Sequence, residues 1–136
     1  MLGLTNAGHA EYGTPAAIAL ITPAACEVPA PEAGPRLHGK QKVWLQTGSL
    51  AHRIYGTELV EEEFRCSNEL NAEFQPLFEQ SALRVVGVGE RGEARVVELQ
   101  AACFFIGTLF LPQIAAVEAP HPLIDAYVRS VAASTR

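Results

Sequence analysis

Residues 83–99, LRVVGVGERGEARVVEL, constrain the fold of this chain more than any other stretch. Two β-branched runs flank a segment with three glycines. Such runs favour a pleated, half-buried surface, so the stretch predicts an antiparallel hairpin. GVGERG at 87–92 also spells G-x-G-x-x-G, the pattern of dinucleotide-binding loops. That pattern has to open a helix whose N-terminus faces a pyrophosphate. Here EARVVEL follows and reads as a second strand, so a hairpin turn is the better reading. CFFIGTLFL at 103–111 is a third, nearly continuous apolar run of strand length, which predicts adjacent strands in one sheet.

Around this centre the chain reads as one domain, 1–136, with no internal repeat. AIALIT (17–22) predicts a buried strand. Residues 27–41, EVPAPEAGPRLHGKQ, hold three prolines and two glycines and predict a surface loop. KVWLQTG (42–48) predicts a strand, and SLAHRIYG a short helix capped by Ser49 and ended by Gly56. ELVEEEFRCSNELN (58–71) predicts an extended start that becomes a loop. Asn71 then caps a helix over 72–82 with Phe74, Leu77 and Phe78 on one face and Pro76 shortening it. The end, HPLIDAYVRSVAAS, predicts an amphipathic helix from Pro122, with Leu123, Tyr127 and Val131 four apart.

Composition narrows the function classes. Hydrophobic residues are 49% and charged residues 18%, the balance of a globular chain with an apolar interior. Ten Lys and Arg against fifteen Asp and Glu give a net charge of −5, which argues against nucleic acid and anionic lipid as partners. AAIALITPAAC is too short to cross a membrane and is interrupted by Pro23. The cysteines, Cys26, Cys66 and Cys103, lie far apart without a C-x-x-C pair. Neither export nor a disulfide framework follows, and the cytoplasm is the expected location.

Candidate chemistry is sparse. His9, His38, His52 and His121 do not combine with the cysteines in a zinc-site spacing, so no metal and no cofactor is expected. His52 reads as solvent-facing and His121 as serving the start of the last helix; neither is a strong general-base candidate. Cys103 reads as a small buried hydrophobe. Cys66 follows Arg65, which favours a thiolate, and follows the acidic run Glu61–Glu63, which opposes it. It is the one candidate reactive thiol. The three glutamates themselves read as a solvated edge.

GSLAHRIYGTELVEEEFRCSNELN (48–71) resembles the glutaminase domain of CTP synthases, a class I glutamine amidotransferase, whose stretch runs approximately G-S-L-A-x-x-I-Y-G and closes on R-x-R-Y-E-V-N. The likeness continues in order. Residues 1–12 resemble the segment after the family's nucleophile helix, 82–99 its hairpin and 119–134 its terminal helix. FFIGTLFLPQ (104–113) falls where the family has a strand ending in F-H-P-E. TLF-x-PQ together with FRC resembles a group related to the CTP synthase C-terminal region that includes selenoproteins.

The resemblance implies an α/β fold: the C-terminal part of a flavodoxin-like amidotransferase domain, with a mixed sheet, an antiparallel hairpin and a C-terminal helix. It implies that the base and its orienting carboxylate are replaced by Leu111 and Gln113, so that no intact catalytic residue remains. Arg65 matches one arginine of the substrate-contacting stretch, which implies a glutamine-like small molecule as ligand, while Cys66, Ser67 and Asn68 depart from that stretch. The family's nucleophile lies upstream of the matched region. Met1 is accordingly expected to be internal to a longer frame. A half-domain leaves apolar surface, so either self-association into a homo-oligomer or a missing upstream segment is expected. Three functions follow: a non-catalytic amidotransferase-like domain, an enzyme completed by an upstream half, or a small redox protein using Cys66.

Overall fold

The computed structural model describes residues 3–12, 18–25, 35–100, 104–114 and 119–134. The predictions for Cys26, Cys103 and residues 27–34 fall outside these. Two sheets organise the described chain. The smaller contains β1 (Ala7–His9), β2 (Ile18–Pro23) and β5 (Asn68–Leu70) in the order β1-β2-β5. β1 runs parallel to β2 and β5 antiparallel to it. The larger contains β3 (Leu37–Leu45), β4 (Leu59–Cys66), β6 (Leu83–Val88), β7 (Ala94–Leu99) and β8 (Ile106–Thr108) in the order β4-β3-β6-β7-β8, antiparallel throughout. Helices α1 (Leu50–Tyr55), α2 (Gln75–Glu79) and α3 (Pro122–Ser134) complete it. The expected α/β fold with a mixed strand arrangement and a C-terminal helix is the fold observed.

The predicted hairpin is β6–β7. Gly89 N–H donates to the Glu93 carbonyl at 2.9 Å and Gly92, at φ +80°, closes the turn. Pairing is irregular around Gly87, where a Cβ would lie 2.7 Å from Val96 Cγ2. Only glycine fits that approach.

Three expectations about the extent of strands need correction. Residues 37–41 are strand, not loop: Leu37, Val43 and Leu45 turn inward while His38, Lys40, Lys42 and Trp44 turn outward, and β4 supplies the hydrogen-bonded partner. The stretch 58–71 starts extended as expected but does not then become a loop: β4 runs to Cys66 and Asn68–Leu70 form β5. Residues 59–66 stay extended because the same alternation buries Val60, Glu62 and Phe64. Finally, the apolar run at 103–111 contributes only the three residues of β8. Beyond Thr108 the chain bends across the sheet: Leu109 N–H reaches the Arg95 carbonyl at 3.0 Å and Leu111 N–H the Glu63 carbonyl at 3.0 Å on β4.

The core is centred on the larger sheet and contains Val43, Leu45, Ala51, Val60, Phe64, Val96, Phe110 and Leu123. AIALIT was expected to be buried, yet the β2 side chains are only half-buried or exposed. The helix expected over 72–82 is a 3-10 turn followed by α2, with Asn71 accepting from Glu73 N–H as predicted. Of its expected apolar face, Phe78 is buried and Leu77 exposed. In α3 only Leu123 is buried; Tyr127 and Val131 stand about half exposed.

Candidate functional site

Ser49 caps α1 as expected, accepting from His52 N–H at 3.0 Å, and Gly56 ends it in the left-handed region at φ 72°. The first turn has a second anchor. Glu98, buried on β7, accepts from Leu50 N–H at 3.0 Å and Ala51 N–H at 2.6 Å. A carboxylate at this end of the helix satisfies otherwise unpaired donors and complements their partial positive charge. α1 is thereby fixed to the sheet, which places Tyr55 over β4.

There Tyr55 meets Glu62 and His121. The Tyr55 hydroxyl donates to the Glu62 carboxylate, and His121 Nε2 lies 3.1 and 3.0 Å from its two oxygens. His121 Nδ1 accepts from Leu123 N–H at 3.2 Å, so the ring's proton sits on Nε2 and is donated to Glu62. Glu62 and His121 are 8% and 6% exposed. Burial, and after it the hydrogen bond and charge of Glu62, hold the Tyr55 hydroxyl well above the ordinary phenol range, so it stays protonated.

Chemically the cluster is a clasp. Both imidazole nitrogens are engaged, and the side chain ties the start of α3 to β4. The expectation that His121 serves the start of the last helix is thus met. The solvated-edge reading fails for Glu62, because period-two alternation puts it on the inner face with Val60 and Phe64. That signal was present in ELVEEEFRC; the partners of Glu62, 59 and 7 residues away, were not.

The other sequence-selected residues lie elsewhere. Leu111 is half-buried at the bend leaving β8, and Gln113 is exposed on the 3-10 turn Pro112–Ile114. The Leu111–Glu63 backbone bond brings this bend to β4, two residues before Arg65. Arg65 is exposed on the outer face, opposite His38 in register. Cys66 is half-buried against the core, and its thiol donates to the Asn68 carbonyl at 3.1 Å. His52 is not simply solvated: Nδ1 accepts from Gly48 N–H at 3.3 Å. Among the described residues no group of three His, Cys, Asp or Glu side chains is placed to hold a metal ion. No described helix is long and apolar enough to cross a membrane.

Two paired sheet systems, the hairpin, the bend after β8 and a terminal helix anchored to β4 make up a class I glutamine amidotransferase fold. The chain is related to the glutaminase domain of the CTP synthases. It is 32% identical over 95 residues to the CTP synthase of Saccharolobus solfataricus, covering 69% of this chain and 18% of that protein. With the CTP synthase of Symbiobacterium thermophilum it shares 31% identity over 133 residues, covering 96% of this chain and 25% of the other. The chain therefore spans about a fifth to a quarter of these relatives. The glutaminase domain of Trypanosoma brucei CTP synthase, solved with bound acivicin, superposes with a TM-score of 0.81 at 21% identity, over 96% of this chain and 52% of that one. No family model matches.

Proposed function

We propose that this chain is an amidotransferase-like domain without glutaminase chemistry of its own, acting in binding or assembly. One observation carries the reading. At the bend after β8, where the resemblance puts a base and its orienting carboxylate, stand Leu111 and Gln113. Leucine has no lone pair to accept a proton, and glutamine cannot stabilise an imidazolium by charge. The nearby histidine of the fold does not replace them, because His121 is buried with both nitrogens occupied.

Cys66 supports the same reading. Its thiol is bound to a backbone carbonyl and packed on the core, as a structural cysteine is. Arg65, exposed on β4, is the residue left to meet a glutamine-like ligand.

The test is glutamine hydrolysis, followed as released glutamate or ammonia, on this chain and on one extended upstream. Silence in both is the expected outcome. Turnover by the extended chain alone would make this sequence part of an enzyme, and turnover by the 136-residue chain that vanishes in Cys66→Ala would overturn the proposal outright.

A further inference from the structure

We propose that the β8 edge of the larger sheet, together with the outward face of α3, is a docking surface for a second copy of this chain. The inference rests on the assembly reading above and names its partner; glutamine hydrolysis is a separate readout. β8 is the last strand of the order β4-β3-β6-β7-β8, and among the described residues no strand pairs with its far side. Leu99 N–H donates to the Phe105 carbonyl at 3.4 Å, and Leu109 N–H to the Arg95 carbonyl at 3.0 Å. Bonded residues alternate along an antiparallel ladder, and the register sets Ile106 against Glu98 and Thr108 against Val96. The N–H and C=O groups of Ile106 and Thr108 therefore point away from β7.

Exposed edges are normally blunted by charge, proline or a covering segment. β4, at the other end of the sheet, follows that rule: Glu61 and Arg65 stand exposed on it, and the Leu111 N–H of the bend reaches the Glu63 carbonyl. β8 is Ile-Gly-Thr and carries no charge. The surface beside it is apolar. A groove of about 340 Å³ lies between β8 and α3, lined by Phe104, Phe105 and Ile106 and, on the helix, by Ile124 and Tyr127. Phe105 is 45% exposed, and Ile124, Tyr127 and Val128 are 40%, 53% and 57% exposed. A surface helix turns such an i, i+3, i+4 stripe toward the core. α3 buries Leu123 instead and leaves the stripe outside.

This surface fits itself. Antiparallel pairing of β8 with its copy, centred on Gly107, sets Ile106 opposite the partner's Thr108, so the outward backbone groups of both strands satisfy one another. Gly107 falls at the centre, where the opposed strands come closest and no side chain intervenes. The same two-fold axis keeps both copies of α3 on one face of the joined sheet, running antiparallel. α3 holds one acid and one base among its described residues, Asp125 and Arg129, an exposed pair four apart. Between antiparallel helices each acid meets the partner's base, and the apolar stripes meet each other.

Sedimentation equilibrium over a concentration series tests the surface. The 136-residue chain is expected to form a dimer. Asp125→Arg alone and Arg129→Asp alone each set like charges together and should weaken it about tenfold. Mixed in equal amounts, the two variants should recover the parent affinity, because each then meets its opposite. Both side chains are exposed, so either variant should keep the circular dichroism spectrum of the parent, which checks that lost association is not lost folding. A chain that stays monomeric at every concentration overturns the proposal, and so does a dimer that neither change weakens. A dimer that disappears when the chain is extended upstream assigns the edge to that segment and not to a second copy.

Discussion

The Glu62–His121–Tyr55 clasp and the Leu111–Gln113 bend both lie against β4, and they place polarity in opposite ways. In the clasp, Glu62 and His121 are buried and Tyr55 half-buried, and each is hydrogen-bonded. At the bend, the half-buried residue is apolar and the polar one points to solvent. The clasp holds α1, β4 and α3 together, while the bend carries Leu111 and Gln113, the pair on which the proposed function rests.

Removing the centre of the clasp gives the largest effect. Glu62→Ala removes the carboxylate that both the His121 imidazole and the Tyr55 hydroxyl meet, and should cost about 1.5–3 kcal/mol of folding stability, the range for hydrogen bonds to a charged group. Urea denaturation measures it, and a loss below about 1 kcal/mol would mean the cluster behaves like a surface pair.

Tyr55 sharpens the same contrast through pH. Its folded-state pKa is raised, so the native state keeps a proton that the unfolded chain releases above about pH 10. The associated stability is intact below that pH and is lost progressively as the pH rises above it. Tyr55→Phe should abolish this alkaline loss while lowering stability at neutral pH. An unchanged alkaline limb would refute the buried hydroxyl.

Glu98→Gln comes next, because an amide keeps one acceptor for the first turn of α1 but loses the charge. A cost of about 1–2 kcal/mol is expected, from one backbone N–H left without its charged partner. The smallest effect belongs to the bend. Leu111→His with Gln113→Glu should change stability by less than about 1 kcal/mol, since neither site is deeply buried. Under the proposed function it should also produce no glutamine hydrolysis, since a base and its orienter act only together with a nucleophile. Hydrolysis gained by this pair would break the comparison.

Much of the frame was legible from short-range pattern. The hairpin at 83–99, the Ser49 and Asn71 caps, the Gly56 stop and the helix from Pro122 each rest on residues within a few positions of one another. Pattern failed where a distant partner decided the outcome. Residues 37–41 look like loop next to a proline-rich stretch, but β4 pairs with them and makes them strand. The run at 103–111 looks like one long strand, but bonds to Arg95 and Glu63 turn it after Thr108.

The sequence by itself determined the local elements, the alternation that turns Glu62 inward, and the identity of Leu111 and Gln113, the positions that the resemblance matches to a base and its orienter. Those follow from side-chain periodicity and from which groups can carry a proton. Only the tertiary structure decided that Glu62 meets His121 and Tyr55, that Glu98 caps α1, and that β8 ends the larger sheet beside α3. Each of these depends on register between strands or on the docking of a helix, and register is set by burial and pairing across the whole sheet rather than by neighbours along the chain.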